Sequence, residues 1–202
     1  MSRGILIVFE GIDGTGKSTH CRMLGELLTE KGIANISFAE PTKGKWGQKI
    51  RRLLSEGRNG VSAEEELEWF LNDRKEDVEL NIKPALEDGK VVLMDRYYFS
   101  TAAYQGALGF DPHEIKRENE KFAPVPDRVL IFHNPPEKSL ERIESSREEK
   151  SSFEKREYLI DVQNIFKNFS GSNIRFILSD DTLENVHEKV VRAVKDLFEL
   201  KL

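Results

Sequence analysis

Apolar positions along this chain form five short strand-like segments, each followed by a longer stretch with the spacing of a helix. Gly4-Ile5-Leu6-Ile7-Val8-Phe9 comes first. It is short and lacks polar alternation, which predicts a strand covered on both faces at the centre of a sheet. The others are Ile36 to Ala39, Val91 to Met94, Val129 to Phe132 and Ile174 to Leu178. Strands alternating with helices in this way predict an α/β fold: a five-stranded parallel, doubly wound sheet flanked by helices.

The helical stretches carry their own punctuation. Cys21, Leu24, Leu27 and Leu28 share one face until Lys31-Gly32 supplies a basic last turn and a glycine stop. Trp46, Ile50, Leu53 and Leu54 line a second helix, broken by Gly57-Arg58-Asn59-Gly60. Ser62, with Glu65 three residues on, forms a capping box for a third, whose stripe is Leu67, Phe70, Leu71, Arg74 and Val78. Pro84 is expected to kink or end it. A similar pair, Asp181 and Glu184, opens the final helix, which is expected to turn Leu183, Val186, Val190, Val194, Leu197 and Phe198 inward.

Length and charge narrow the partners. The 202 residues suit a single domain spanning 1–202, with no internal repeat or low-complexity linker. Thirty-one basic against 36 acidic residues leave a net charge of −5, which argues against nucleic acid as a partner. Cys21 is the only cysteine, so neither an intrachain disulfide nor a multi-thiolate zinc site can form, and a cytoplasmic location is expected. The run from Ile5 to Phe9 is about half the length of a signal-peptide core and meets a charge at Glu10. No span reaches membrane length, so no membrane partner is expected. The densest charge tract, Glu137 to Glu157, holds six basic and seven acidic residues in 21 positions; it reads as a solvated helical hairpin or as a lid.

The chemistry starts at Gly11-Ile12-Asp13-Gly14-Thr15-Gly16-Lys17-Ser18, which fits G-x-x-x-x-G-K-[ST] between a buried strand and a helix start. Glycines let backbone amides turn toward phosphate oxygens, and the helix N-terminus adds partial positive charge. With Thr19, these residues are the expected ATP site. Lys17 is expected on the β- and γ-phosphates and the Ser18 hydroxyl on Mg²⁺. Asp13 is an acid inside an anion-binding loop and requires a cationic or hydroxyl partner; it is either solvated outside the cradle or in contact with the sugar or a metal-bound water of a second nucleotide. Asp95-Arg96 ends a strand, where open α/β sheets bind ligands, so Arg96 is expected to face the loop and grip a second phosphate. Asp95 would orient that arginine or an Mg²⁺-bound water.

Taken together these residues resemble the thymidylate (dTMP) kinases, P-loop enzymes that pass the γ-phosphoryl of ATP to dTMP. Phe9-Glu10-Gly11-Ile12-Asp13-Gly14, Glu40-Pro41-Thr42 with Lys49-Ile50-Arg51, and Phe70-Leu71-Asn72-Asp73-Arg74 are each similar to a family segment. The most specific stretch is Asp95-Arg96-Tyr97-Tyr98-Phe99-Ser100-Thr101-Ala102-Ala103-Tyr104-Gln105-Gly106, similar to the bacterial D-R-[YH]-x-x-S-x-x-A-Y-Q-G signature. The resemblance implies a P-loop nucleoside monophosphate kinase with a lid at about 137–157. It also implies a homodimer built on helices. By the same resemblance Phe70 stacks on thymine, Arg74 bonds a base carbonyl, and Arg96 holds the acceptor phosphate. Tyr104 lies under the deoxyribose, Thr101 and Gln105 reach the base, and Asp13, Glu40, Pro41 and Arg51 complete the dTMP site. The catalytic set implied is Lys17, Arg96, Asp13 and a lid arginine, with Ser18 and Asp95 on the metal.

Three positions depart from the family pattern. Ala39 stands where an arginine usually precedes Glu-Pro, so that acceptor-phosphate contact is either missing or supplied by Lys43, Lys45 or Arg51. His133 stands where Asp is common, and reads as structural. Ser151-Ser152-Phe153-Glu154 lacks the usual lid D-R pair, which makes Arg147, ahead of Arg142, the expected lid cation. These departures keep two alternatives open: a kinase for another nucleotide or deoxynucleoside, and a non-catalytic nucleotide-binding regulatory module.

Overall fold

Residues 3–58, 60–134 and 152–198 are described by the computed structural model. The sheet grows from β1 (Ile5–Glu10), in which Leu6, Ile7, Val8 and Phe9 are completely enclosed. Next come α1 (Lys17–Glu30), β2 (Asn35–Ala39), α2 (Lys45–Glu56) and α3 (Ala63–Asp77). A π turn, Val78–Ile82, leads from α3 into α4 (Lys83–Glu87). The remaining elements are β3 (Val91–Asp95), α5 (Tyr98–Gly106), α6 (Pro112–Glu120), β4 (Arg128–His133), α7 (Ser152–Asn168), β5 (Ile174–Leu178) and α8 (Leu183–Val194), closed by the 3₁₀ turn Lys195–Phe198.

All five predicted strands are present, in the order β2-β3-β1-β4-β5 with every pairing parallel. β1 is central, which explains its unbroken apolar run: Leu6 and Val8 join Val78, Ile82, Phe99 and Phe166 on one face, while Ile7 and Phe9 join Leu24, Leu28, Val186 and Val190 on the other. Enclosing a side chain of that size contributes about 1.5–3 kcal/mol. The register sets Phe9 beside Asp95 of β3 and Glu10 beside Ile131 of β4. The turn after β1 and the tip of β3 are thereby neighbours at the carboxyl edge, where such sheets bind ligands.

Helix boundaries follow local chemistry. Gly32, at φ 70°, ends α1; its amide bonds the Thr29 carbonyl at 2.9 Å and the Ile33 amide bonds Leu28 at 2.8 Å. Ser62 Oγ accepts from the Glu65 amide at 3.2 Å, as the capping pattern predicts. Pro84 falls in the first turn of α4, directly after the π turn Val78–Ile82, so the helical path continues past it and does not stop.

Other expectations need correction. Leu54 is 52 % exposed, because α2 buries only the row Gly47, Ile50 and Leu53. Leu183 is 47 % exposed, since it is the first residue of α8, ahead of the turns that bury Val186, Val190 and Val194. Thr182, and not Asp181, caps that helix: Thr182 is the last extended residue, and its hydroxyl accepts from the Asn185 amide at 3.2 Å. The stripe expected on α3 holds in part: Arg74 and Val78 are buried and Leu67 packs against the core, but Phe70 and Leu71 are only half-buried, and the helix also buries the acids Glu66, Asp73 and Asp77. Among the described residues no helix is long and apolar enough to cross a membrane.

Candidate active site

The loop between β1 and α1 turns through three glycines with positive φ, Gly11, Gly14 and Gly16. At Gly11 a Cβ would stand 2.2 Å from the Phe132 carbonyl oxygen, so only glycine fits. Lys17 is the first residue of α1 and is buried; its Nζ donates to the Ile12 carbonyl at 2.7 Å, and Thr15 Oγ1 donates to the same oxygen at 2.8 Å. Burial, with Arg96 nearby, lowers the Lys17 ammonium to about 8, against the attraction of Asp13, Asp95 and Glu10. The helix α1 begins there, and Ser18 Oγ donates to the carboxylate of Asp95 at the end of β3.

Arg96 follows immediately and faces the loop, as its place at a strand tip predicts. It is the one non-glycine residue with positive φ among the described residues, at 72°. That conformation costs an L-residue about 1–2 kcal/mol, and such strain collects at functional sites. Its amide bonds the Phe9 carbonyl at 2.9 Å. Its guanidinium donates to Gly11 O at 3.2 Å, Ser100 Oγ at 2.9 Å and Asp13 Oδ1 at 2.5 Å, and it lies 5.3 Å from the centre of the Tyr104 ring. Asp13 thus has the cationic partner its position requires. Against some desolvation, Arg96 and then Lys17 hold its carboxyl below the usual range.

Glu10 is the residue that sequence reasoning missed. Its carboxylate is completely buried and accepts from the Tyr97 amide at 2.8 Å, the Ser100 amide at 3.1 Å and the Ser100 hydroxyl at 2.5 Å. Burial raises it to about 7, opposed by the Ser100 bond and the Arg96 charge. A carboxylate closing an otherwise apolar central strand was the available signal.

A second polar cluster lies between α3 and α5. Arg74 is buried and donates to Asn119 Oδ1 at 2.7 Å, to Thr101 Oγ1 at 3.1 Å and to Glu40, and its guanidinium lies over the Tyr97 ring at 5.3 Å. Asp73 fastens the Glu40-Pro41-Thr42 segment to α3 by accepting from the Thr42 amide at 2.8 Å and its hydroxyl at 2.6 Å. Gln105 Nε2 donates to Glu66 Oε1 at 2.9 Å, and Arg58 grips Glu66 from the other side at 2.6 and 3.1 Å. Phe70 is half-buried and belongs to neither apolar cluster. Five side-chain atoms here are buried without a hydrogen-bond partner: Glu40 Oε1, Arg74 Nε, Asp77 Oδ2, Tyr104 Oη and Gln105 Oε1. Unpaired buried polar atoms are costly, and their convergence suits a polar ligand.

The structure therefore brings Asp13, Lys17, Ser18, Asp95 and Arg96 to one corner, and Glu40, Arg74 and Thr101 to another. Arg51 sits over the loop that joins β2 to α2, bonding the carbonyls of Pro41 and, at 3.4 Å, Thr42. A cleft of about 940 Å³ reaches from Ser18 and Asp95 past Ala39 to Thr42, Lys43 and Arg51. Lys45 is turned onto the Trp46 ring at 5.2 Å. His133 packs edge-on against Phe176, consistent with a structural role. Arg142, Arg147 and most of the tract at 137–157 lie outside the described residues.

The family model for thymidylate kinase matches residues 9–190. The chain belongs to the thymidylate kinase family. It is 50 % identical over 198 residues to a thymidylate kinase of Desulfotalea psychrophila, covering 98 % of this chain and 97 % of that one. It is 43 % identical over 197 residues to a probable thymidylate kinase of Archaeoglobus fulgidus, covering 98 % of each. The crystal structure of thymidylate kinase from Ehrlichia chaffeensis superposes with a TM-score of 0.74 at 27 % identity, covering 96 % of this chain and 99 % of that one. As a thymidylate kinase family member, the chain carries Ala39 and His133 within a fold similar to that of the Ehrlichia chaffeensis structure.

Proposed function

We infer that this protein transfers the γ-phosphoryl of ATP to dTMP, giving dTDP and ADP. The observation that carries the reading is the placement of Arg96: a guanidinium held at the P-loop by Gly11, Asp13 and Ser100, near the Lys17 ammonium, which bonds the next carbonyl, that of Ile12. Family membership supports the same activity and disfavours another acceptor or a regulatory module.

In this reading the P-loop amides from Gly11 to Thr19 and Lys17 hold the triphosphate, and Arg96 holds the acceptor phosphate in line. Asp13 keeps Arg96 turned toward the loop. Phosphoryl transfer needs positioning and neutralisation more than covalent help, and the acceptor phosphate is already ionised, so neither a protein nucleophile nor a strong base is required. Phe70, Arg74, Thr101, Tyr104 and Gln105, with Glu40, Pro41 and Arg51, form the dTMP side, where Glu40 Oε1, Arg74 Nε, Tyr104 Oη and Gln105 Oε1 are buried polar atoms without a partner. Arg147 is proposed as the lid cation.

Mg²⁺ fits the residues present. No group of three metal-ligating side chains occurs among the described residues, but the Ser18 hydroxyl and Asp95 carboxylate converge as hard oxygens beside the phosphate loop, and Mg²⁺ takes one or two such ligands together with phosphate oxygens. Held there by Ser18 and Asp95, it would supply charge neutralisation for the transferred phosphoryl group. A homodimer and a cytoplasmic location complete the proposal; sedimentation velocity tests the first.

An acceptor panel decides the reading. With ATP as donor, dTMP is expected to be phosphorylated in preference to dUMP, UMP and CMP, with thymidine inert. A different preferred acceptor overturns the substrate. Tight binding of ATP and dTMP without ADP formation overturns the catalysis.

A further inference from the structure

We propose that Glu10 and Ser100 are positioning residues for Arg96, acting on the acceptor phosphate through it. The proposal rests on the reading of Arg96 as the group that holds that phosphate, and it deepens that reading.

Three features point to it. First, α5 starts at Tyr98 with Tyr97 as its cap, and no side chain of the helix itself satisfies its leading amides. Glu10 does so from another element: one oxygen accepts from the amides of Tyr97 and Ser100, the cap and third helical positions. These are the two donors that a local capping box would divide between two side chains. The carboxylate also meets the positive end of the helix dipole. The amides it holds begin directly after Arg96, so the same contact fixes the left-handed residue from its C-terminal side, while the bond from its own amide to Phe9 fixes it from the other.

Second, the other Glu10 oxygen reaches the Arg96 side chain through a single hydroxyl. Ser100 Oγ accepts from Arg96 Nη1 at 2.9 Å and donates to Glu10 Oε2 at 2.5 Å. A guanidinium can only donate and an ionised carboxylate can only accept, so the direction of that hydroxyl is imposed from both sides. Third, Glu10 is completely buried and Ser100 nearly so, and Glu10 forms no direct salt bridge among the described residues. A buried charge needs compensation, and here the hydroxyl passes it from Arg96. The network crosses from β1 to α5 and ends on Arg96, which bonds Gly11 and Asp13 of the P-loop and lies over the Tyr104 ring.

A guanidinium released by even a small angle presents the wrong nitrogen pair to a phosphate, and a misplacement of about 1 Å can cost on the order of a hundredfold in rate. Removing one hydroxyl is a milder change. In the full-length protein at pH 8, Ser100→Ala is expected to raise the KM for dTMP about tenfold and lower kcat, while the KM for ATP stays within about twofold. Ser100→Thr restores the hydroxyl and is expected to recover most of the loss. Glu10→Gln, which turns the oxygen facing Ser100 into a donor, is expected to raise the dTMP KM in the parent and to add less than about twofold on top of Ser100→Ala.

Arg96→Lys separates this inference from the reading beneath it. If Arg96→Lys raises the dTMP KM while Ser100→Ala leaves it within about twofold, the positioning role is wrong and the reading stands. If Arg96→Lys leaves the dTMP KM unchanged, the reading itself fails. Equal rises in both KM values with Ser100→Ala, or no recovery with Ser100→Thr, reduce Ser100 to a structural residue and also overturn the proposal. Should Ser100→Ala be too unstable to assay, Ser100→Cys keeps the volume, weakens the bond and is judged by the same comparison.

Discussion

Arg74 and Glu40 form an ion pair enclosed by the protein, with 1 % and 5 % of their side chains exposed. Removing one member of such a pair strands the other charge in a medium that cannot solvate it. Glu40→Ala is expected to lower the unfolding free energy by about 3–5 kcal/mol, read from urea denaturation. Glu40→Gln keeps a hydrogen-bond acceptor for Arg74 and is expected to lose less. A loss below about 1 kcal/mol for Glu40→Ala would show that solvent reaches the pair.

Gly11 and Gly32 offer a paired test of what a glycine is for. Both have positive φ, but a Cβ at Gly11 meets the Phe132 carbonyl at 2.2 Å whereas one at Gly32 meets nothing within 4 Å. Gly32→Ala is expected to cost about 1–2 kcal/mol, the backbone penalty alone. Gly11→Ala adds a collision with main chain and is expected to cost more than that and to abolish ATP binding. Thermal unfolding and ATP titration of the two variants check both statements.

The depressed Lys17 ammonium makes ATP binding depend on pH. With a value of about 8 in the free protein, the charged form falls away above that pH. ATP affinity is expected to weaken by about tenfold between pH 7 and pH 9, followed by calorimetric titration. The stability contribution of this group runs the other way. Its unfolded value is 10.5, so between about 8 and 10.5 the unfolded chain binds more protons than the folded one, and this group's contribution rises with pH. Lys17→Met is expected to remove both dependences, and an ATP affinity that stays flat to pH 9 would show that Lys17 remains charged.

Ser18 and Asp95 give the Mg²⁺ assignment its test. Asp95→Asn keeps the acceptor for the Ser18 hydroxyl but removes a hard anionic oxygen. The Mg²⁺ concentration giving half-maximal activity is expected to rise by about tenfold or more, with thermal unfolding little changed. An unaltered Mg²⁺ titration would move the metal away from Asp95.

The legible parts of this protein share a physical feature, namely that their constraint is local. β1 shows in the sequence because a strand covered on both faces must be apolar at every position. The P-loop shows because Gly11, Gly14 and Gly16 have positive φ, which disfavours side chains at all three, and a collision with Phe132 excludes one at Gly11. Arg96 was legible as facing the loop because a strand tip has one place to point. Leu54 and Leu183 were misread for the converse reason: apolar spacing marks a helix face, and the neighbouring elements decide how far along that face burial extends.

The sequence by itself determined the strands, the phosphate loop and the resemblance that names the substrates, since each depends on residues within a few positions of one another. Tertiary structure alone decided which polar groups meet. Glu10 finds Ser100 across 90 residues, Arg96 finds Asp13 across 83, and Arg74 finds Glu40 across 34. Hydrophobic burial is non-directional and leaves a periodic trace, whereas a buried polar group is stable only against a specific partner at hydrogen-bonding distance, and that partner is supplied by the fold.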